Sequence, residues 1–173
     1  MARRLVDDPE AFSQLYDLYC DRIYGYLLHR LSNPEDSADL TQRIFLKAFR
    51  VRSQYRPNRG SFATWIFAIA RSQANSFSST RKESQPLSTI PEVAMGASQG
   101  PDEAPLQVDE IDRLREFVGR LNPGDRELIV LRFDAGLQVP EIATVVGSSM
   151  EATKKRLQRT LKRLKDMYDD QPK

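Results

Sequence analysis

The stretch "VPEIATVVGSSMEATKKRLQRTLKRLK", residues 139–165, decides the fold of the C-terminal part of this chain. A short apolar helix opened by Pro140 precedes Gly147, and glycine commonly ends a helix. A longer helix rich in Lys and Arg begins after Ser149, whose side chain suits the N-cap position. A short helix, a glycine-containing turn and a longer basic helix together predict a helix-turn-helix.

The longer helix has two faces when its residues are placed about 100° apart. The stripe predicted to face the core consists of Thr153, Leu157, Leu161 and Leu164. On the charged face, Lys155 and Arg159 lie near enough to the N-terminus to reach guanine edges, whereas the other basic residues suit phosphates. A Lys/Arg-rich helix can also be a merely solvated surface, but the preceding helix and turn favour DNA binding. The predicted DNA-binding residues are Ser149, Glu151, Lys154, Lys155, Arg156, Arg159 and Lys162.

Helical patterning also covers most of the chain before this motif. Apolar residues at three- and four-residue steps predict two short helices from about residue 108, separated by "NPGD" at 122–125. Three longer helices are predicted over residues 8–31, 34 to about 53, and 61 to about 80. The predicted fold class is therefore all-α.

Residues 83–107 differ in composition from both flanks. This segment contains four prolines and two glycines, has no aromatic residue, and carries only acidic charges. Such a composition does not support a packed core. We therefore predict two small helical domains, residues 1–82 and 108–173, joined by a flexible acidic linker over 83–107.

Composition excludes several classes of function. With one Cys and one His, the chain has neither an internal disulfide nor a zinc site with four Cys or His ligands. No nucleophile–base pattern or metal cluster indicates an enzyme, so neither a cofactor nor a metal is expected. The chain also lacks an apolar run of about 18 residues and a secretory signal, which predicts a cytoplasmic protein with no membrane insertion. Because the net charge is only +2, a nucleic-acid surface must arise from local clustering.

Three blocks of sequence resemble the bacterial extracytoplasmic-function sigma factors. They are "NPEDSADLTQRIFLKAFR" at 33–50, "RGSFATWIFAIAR" at 59–71, and "LNPGDRELIVLRFDAGLQVPEIATVVG" at 121–147 followed by the basic helix. The resemblance implies a protein that binds core RNA polymerase and directs promoter-specific initiation. The terminal helix would recognise −35 DNA, and the first domain would recognise and help to melt the −10 element. An anti-sigma factor is a further candidate partner.

The resemblance also assigns residues of the first domain to partners. The residues implied to bind polymerase are Asp39, Leu40, Gln42, Arg43 and Leu46, although helical spacing also places Leu40 on the inner face of its helix. The residues implied to contact the −10 element are Arg56, Asn58, Arg59, Phe62, Trp65, Arg71 and Asn75. Trp65 lies in helical register with Phe62 and Ile69, a spacing that equally fits a core position.

The sequence departs from the family pattern at three places. Arg43 stands where an acidic residue is usual, and serines at 76, 78 and 79 stand where more charge is expected. Gln138 replaces the usual Ser or Thr cap, a change expected to weaken that cap by about 0.5–1 kcal/mol. Two alternatives remain open, and the serines and Arg43 favour the first of them. One is a sigma mimic that binds an anti-sigma protein, and the other is a helix-turn-helix regulator that does not associate with polymerase.

Overall fold

The computed structural model describes residues 9–84 and 108–170, and all regular secondary structure in those ranges is helical. The N-terminal bundle consists of α1 (Pro9–Leu31), α2 (Pro34–Arg50) and α3 (Phe62–Ser84). The C-terminal bundle consists of α4 (Val108–Gly119), α5 (Pro123–Ile129), α6 (Val139–Val146) and α7 (Met150–Asp169). The predicted all-α class is confirmed. The predicted linker lies outside the described residues, except that α3 extends through Ser84.

Local capping explains where several helices begin and end. The Asn33 side chain accepts a hydrogen bond from the backbone N–H of Asp36 at 2.9 Å, at the start of α2. The Ser149 hydroxyl accepts one from the N–H of Ala152 at 3.2 Å, at the start of α7. Gly147, with φ of 69°, ends α6 in the left-handed conformation that glycine adopts without strain. The sequence predicted these three boundaries.

The turn before α6 contains two features that the sequence did not predict. The helix that begins as α5 continues as a π-helical segment over Val130–Asp134, in which the N–H of Ala135 bonds to the carbonyl of Val130 at 2.9 Å. At the start of α6, the expected weak cap is reinforced because the Glu141 carboxylate accepts a hydrogen bond from the N–H of Gln138 at 2.8 Å.

The two bundles share one hydrophobic cluster. Helix α6 packs against α3, and the π-helical segment packs against α1. Phe67 and Ala70 of α3 are fully buried, as are Leu131, Leu137 and Ile142 of the C-terminal bundle. Because α6 carries apolar side chains around much of its circumference, it requires cover from α3 as well as from its own bundle. The sequence patterns had not predicted this direct packing.

Candidate nucleic-acid and partner interfaces

Helix α7 buries one face against the rest of the C-terminal bundle. Thr153, Leu157 and Leu164 are buried, as predicted. The prediction for Leu161 is wrong, because its side chain is 38% exposed, whereas Thr160 is 2% exposed and takes the expected core position. The buried residues follow steps of four, three and four, which keep them on the face that packs against α4, α5 and α6. Leu161 follows Thr160 directly and therefore lies about 100° around the helix from it.

The opposite face of α7 is exposed and basic. Lys155, Gln158, Arg159 and Lys162 line an open groove, and Lys154 is exposed beside it. Glu151 lies on the same face, with its Oε1 3.5 Å from the Lys155 Nζ. The helix therefore presents a continuous set of long polar side chains. Gln158 was not among the predicted residues, although its spacing from Lys155 and Lys162 places it on this face.

Arg156 has a structural contact that the sequence did not reveal. Its Nε donates to Asp125 Oδ1 at 2.6 Å, which ties α7 to the first turn of α5. Burial would raise the pKa of Asp125, but the hydrogen bonds from Arg156 and Asn122 outweigh burial and hold that pKa below its usual value. Arg156 was expected to bind phosphate, but its guanidinium is already engaged within the bundle.

We expect Arg156→Ala to lower the free energy of unfolding by about 1 kcal/mol, since the lost pair is partly exposed and charge-assisted. Because the folded-state pKa of Asp125 is lowered, this contribution is full at neutral pH. It is lost as the pH falls below about 4 and through the folded-state value. Urea denaturation at two pH values measures the difference. Arg159→Ala is the control, and a loss as large as that of Arg156→Ala would contradict the assignment.

The outer face of α2 carries four of the five residues implied to bind polymerase. Asp39, Gln42, Arg43 and Leu46 are exposed on this face. Arg43 Nη2 lies 2.7 Å from Asp39 Oδ2, one helical turn away, so the two charges partly neutralise each other. Leu40 is only 3% exposed and packs in the core. Its side chain is therefore inaccessible to a partner in this structure, which leaves the other four residues as the predicted polymerase contacts.

The connection between α2 and α3 presents three polar side chains to solvent: Arg56, Asn58 and Arg59. Phe62, which was predicted to contact the −10 element, is buried and packs against Tyr55, with ring centroids 5.9 Å apart, so its ring is inaccessible to DNA in this structure. Trp65 is half-buried and packs on the same two rings.

The remaining two predicted −10 residues lie near the C-terminal bundle. Arg71 Nε is 3.2 Å from Glu127 Oε1, and the Asn75 side chain accepts a hydrogen bond from Arg30. Arg30 also pairs with Glu127. No sequence pattern predicted the contacts of Arg30 and Arg71 with Glu127, because these residues are far apart in the chain. In the sequence, Glu127 resembles any polar residue of a short helix.

Within residues 9–84 and 108–170, no group of His, Cys, Asp and Glu is arranged to hold a metal ion. Over the same ranges, no helix has the length and apolar character that a bilayer crossing requires.

Two protein-family models match the chain. One is described as Sigma-70 region 2 and matches residues 15–83. The other is described as Sigma-70, region 4, and matches residues 111–164. The first match runs from the second turn of α1 almost to the end of α3, and the second runs from the first turn of α4 into α7.

Individual proteins agree with these matches. The chain is 33% identical over 166 residues to the ECF RNA polymerase sigma factor BldN of Streptomyces coelicolor, covering 94% of this chain but only 63% of BldN. It is 30% identical over 164 residues to the ECF RNA polymerase sigma factor RpoE of Cereibacter sphaeroides, covering 91% of this chain and 86% of that protein. In fold, it resembles CnrH solved in complex with the cytosolic domain of CnrY, with a TM-score of 0.69, 22% identity, and coverage of 99% of this chain and 96% of CnrH.

Proposed function

Because the chain belongs to the extracytoplasmic-function family of RNA polymerase sigma factors, we propose that the exposed face of α7 recognises −35 promoter DNA. The observation that carries this proposal is the segregation of α7 into a buried apolar side and an exposed basic side. The residues proposed to contact DNA are Glu151, Lys154, Lys155, Arg159 and Lys162. In this proposal, the backbone N–H groups of the first turn of α7, which follows the Ser149 cap, meet a DNA phosphate.

The outer face of α2 is the proposed docking surface for core RNA polymerase. It combines the charged and amide groups of Asp39, Gln42 and Arg43 with Leu46, whose side chain is 58% exposed. Protein–protein interfaces combine an apolar centre with a polar rim, and this face offers both kinds of group. The catalytic chemistry of transcription belongs to the polymerase, so this chain acts by binding and positioning rather than as an enzyme. Because RNA polymerase acts in the cytoplasm, the chain is proposed to act there too.

The −10 element is proposed to be held by the exposed connection between α2 and α3. Arg56 and Arg59 supply positive charge for backbone phosphates, and Asn58 supplies amide hydrogen bonds to bases. Trp65 retains some exposed ring surface for stacking, in contrast to the buried Phe62.

Reconstitution with core RNA polymerase tests the proposed function directly. The purified chain, added to core polymerase and a library of promoter fragments, is expected to yield transcripts from defined start sites. A sigma mimic would bind an anti-sigma protein but yield no transcript. A helix-turn-helix regulator would bind DNA without retaining core polymerase, and either outcome would contradict the proposal.

We expect Arg43→Gln to strengthen core polymerase binding by up to about fivefold, since exposed ion pairs are worth at most about 1 kcal/mol. The substitution frees the Asp39 carboxylate for the partner without placing a like charge beside it. A core-binding titration measures the effect, and Arg43→Lys, which keeps the charge, serves as the control. Weaker binding by Arg43→Gln would mean that the positive charge of Arg43 favours polymerase binding by more than its pairing with Asp39 costs.

A further inference from the structure

Three hydrogen-bond donors of the N-terminal bundle converge on one carboxylate oxygen of the C-terminal bundle. Tyr26 donates its hydroxyl to Glu127 Oε1 at 2.7 Å, and Arg71 Nε lies 3.2 Å from the same oxygen. Arg30 donates to that oxygen as well. Tyr26 is almost fully buried, and burial followed by the nearby Glu127 charge raises the pKa of its hydroxyl, which therefore remains a donor. The three donors form a compact anion-binding cluster.

Other contacts along the boundary between the bundles also have their donors on the N-terminal bundle and their acceptors on the C-terminal bundle. Arg22 donates to the backbone carbonyl of Ala135, and Ser61 donates to the Glu141 carboxylate. His29 Nε2 lies 2.6 Å from Asp134 Oδ2. In these contacts, the N-terminal bundle supplies donors and cationic groups, and the C-terminal bundle supplies carbonyl and carboxylate oxygens. The N-terminal bundle therefore presents a surface complementary to anions.

We propose that Tyr26, Arg30 and Arg71 form a binding site for a backbone phosphate of single-stranded promoter DNA, and that Glu127 occupies this site when the two bundles are packed together. The inference rests on the proposed function, in which the N-terminal bundle holds the −10 element. Guanidinium groups and a hydroxyl suit phosphate oxygens as well as they suit a carboxylate. Arg30 also contacts Asn75, so the site is continuous with a residue already assigned to −10 DNA.

The burial of Glu127 makes the two states mutually exclusive. Its side chain is 8% exposed, so a phosphate reaches the cluster only after α5 moves away from α1 and α3. A ligand that binds only the separated form shifts the population toward that form, and its apparent affinity falls with the fraction of molecules that are closed. Glu127 thus holds the chain closed until DNA, together with polymerase, competes for the arginines.

The substitution Glu127→Gln tests this inference on the full chain. It keeps the size of the side chain but removes the charge that pairs with the two arginines. We expect affinity for an oligothymidylate of about 12 nucleotides to rise roughly tenfold. The slope of log affinity against log salt is expected to steepen by about 0.7 for each phosphate gained. Small-angle X-ray scattering is expected to show a larger radius of gyration.

Two matched variants separate the site from general effects of charge. Glu116→Gln removes a carboxylate of α4 that pairs with Arg120, the residue directly after that helix. It is expected to change neither the affinity for the oligonucleotide nor the radius of gyration. In the double variant Glu127→Gln with Arg30→Gln, the two bundles separate, but one of the arginines that would bind the phosphate is missing. The gain in oligonucleotide affinity is therefore expected to disappear. A gain that persists in the double variant, or no gain in Glu127→Gln, overturns the proposal. Circular dichroism verifies that each variant is folded.

A polyglutamate peptide provides the alternative anion. If Glu127→Gln gains affinity for the peptide but not for the oligonucleotide, the cluster takes a carboxylate-bearing protein segment and the nucleic-acid proposal is wrong. Failure of the phosphate-site proposal can be distinguished from failure of the proposed function. If only the phosphate site is wrong, the parent chain still directs promoter-specific transcription with core polymerase. If the proposed function is wrong, it does not.

Discussion

Replacing Lys155 and Arg159 together by alanine is expected to reduce the preference of the polymerase holoenzyme for its promoter on the order of 100-fold or more. Each side chain lies on the exposed face of α7, and a long basic residue that pairs with guanine contributes about 1–3 kcal/mol of discrimination. Folding is expected to be unaffected, because neither side chain packs in the core. Competition between promoter and scrambled DNA, with holoenzyme reconstituted from each variant, measures the change.

Lys154→Ala is the matched control for this double variant. Lys154 lies at the edge of the same face and is proposed to contact a phosphate, so its loss weakens promoter and scrambled DNA alike. The salt slope is expected to fall by about one unit while preference is retained. If the double variant keeps full promoter preference, α7 does not recognise the −35 sequence.

Phe67→Ala is expected to lower the free energy of unfolding by about 3–5 kcal/mol. The Phe67 ring is fully buried in the cluster shared by both bundles and packs edge-on against Tyr26, with centroids 5.7 Å apart. Removing it leaves a cavity where α3 meets both α1 and the C-terminal bundle. Urea denaturation followed by circular dichroism measures the loss.

Phe49→Ala is the control for this core substitution. The Phe49 ring is 36% exposed on α2 and lies away from the boundary between the bundles. Its loss is expected to cost clearly less, since much of its surface stays in contact with water in the folded state. Equal costs for the two substitutions would mean that the shared core does not stabilise the protein as the structure indicates.

The helices and their caps could be predicted from the sequence because the forces that set them are local. Asn33 and Ser149 cap the next few backbone N–H groups, and Gly147 needs only its own conformational freedom to end α6. The helix-turn-helix, and with it the exposed basic face of α7, follows from these boundaries and from the spacing of apolar residues. The resemblance to the family was also recognisable from the sequence, because each of its motifs is a continuous stretch of residues.

The exact core positions were harder to predict, because helical spacing defines a stripe but not its edges. Leu161 and Thr160 are neighbours at such an edge, and the packing of α7 against the rest of the C-terminal bundle buries the threonine rather than the leucine. Leu40 shows a different problem. Its position within a motif implied a partner contact, although helical spacing had already placed it on the inner face of α2, where the structure buries it.

The sequence by itself determined seven helices with their main boundaries, two bundles, and a basic terminal helix suited to DNA. Only the tertiary structure decided that the bundles pack together and that Glu127 occupies the cluster of Tyr26, Arg30 and Arg71. The physical reason is distance along the chain. Tyr26 and Glu127 are 101 residues apart, so no local periodicity relates them. Their contact forms only because the apolar surfaces of the two bundles pack against each other.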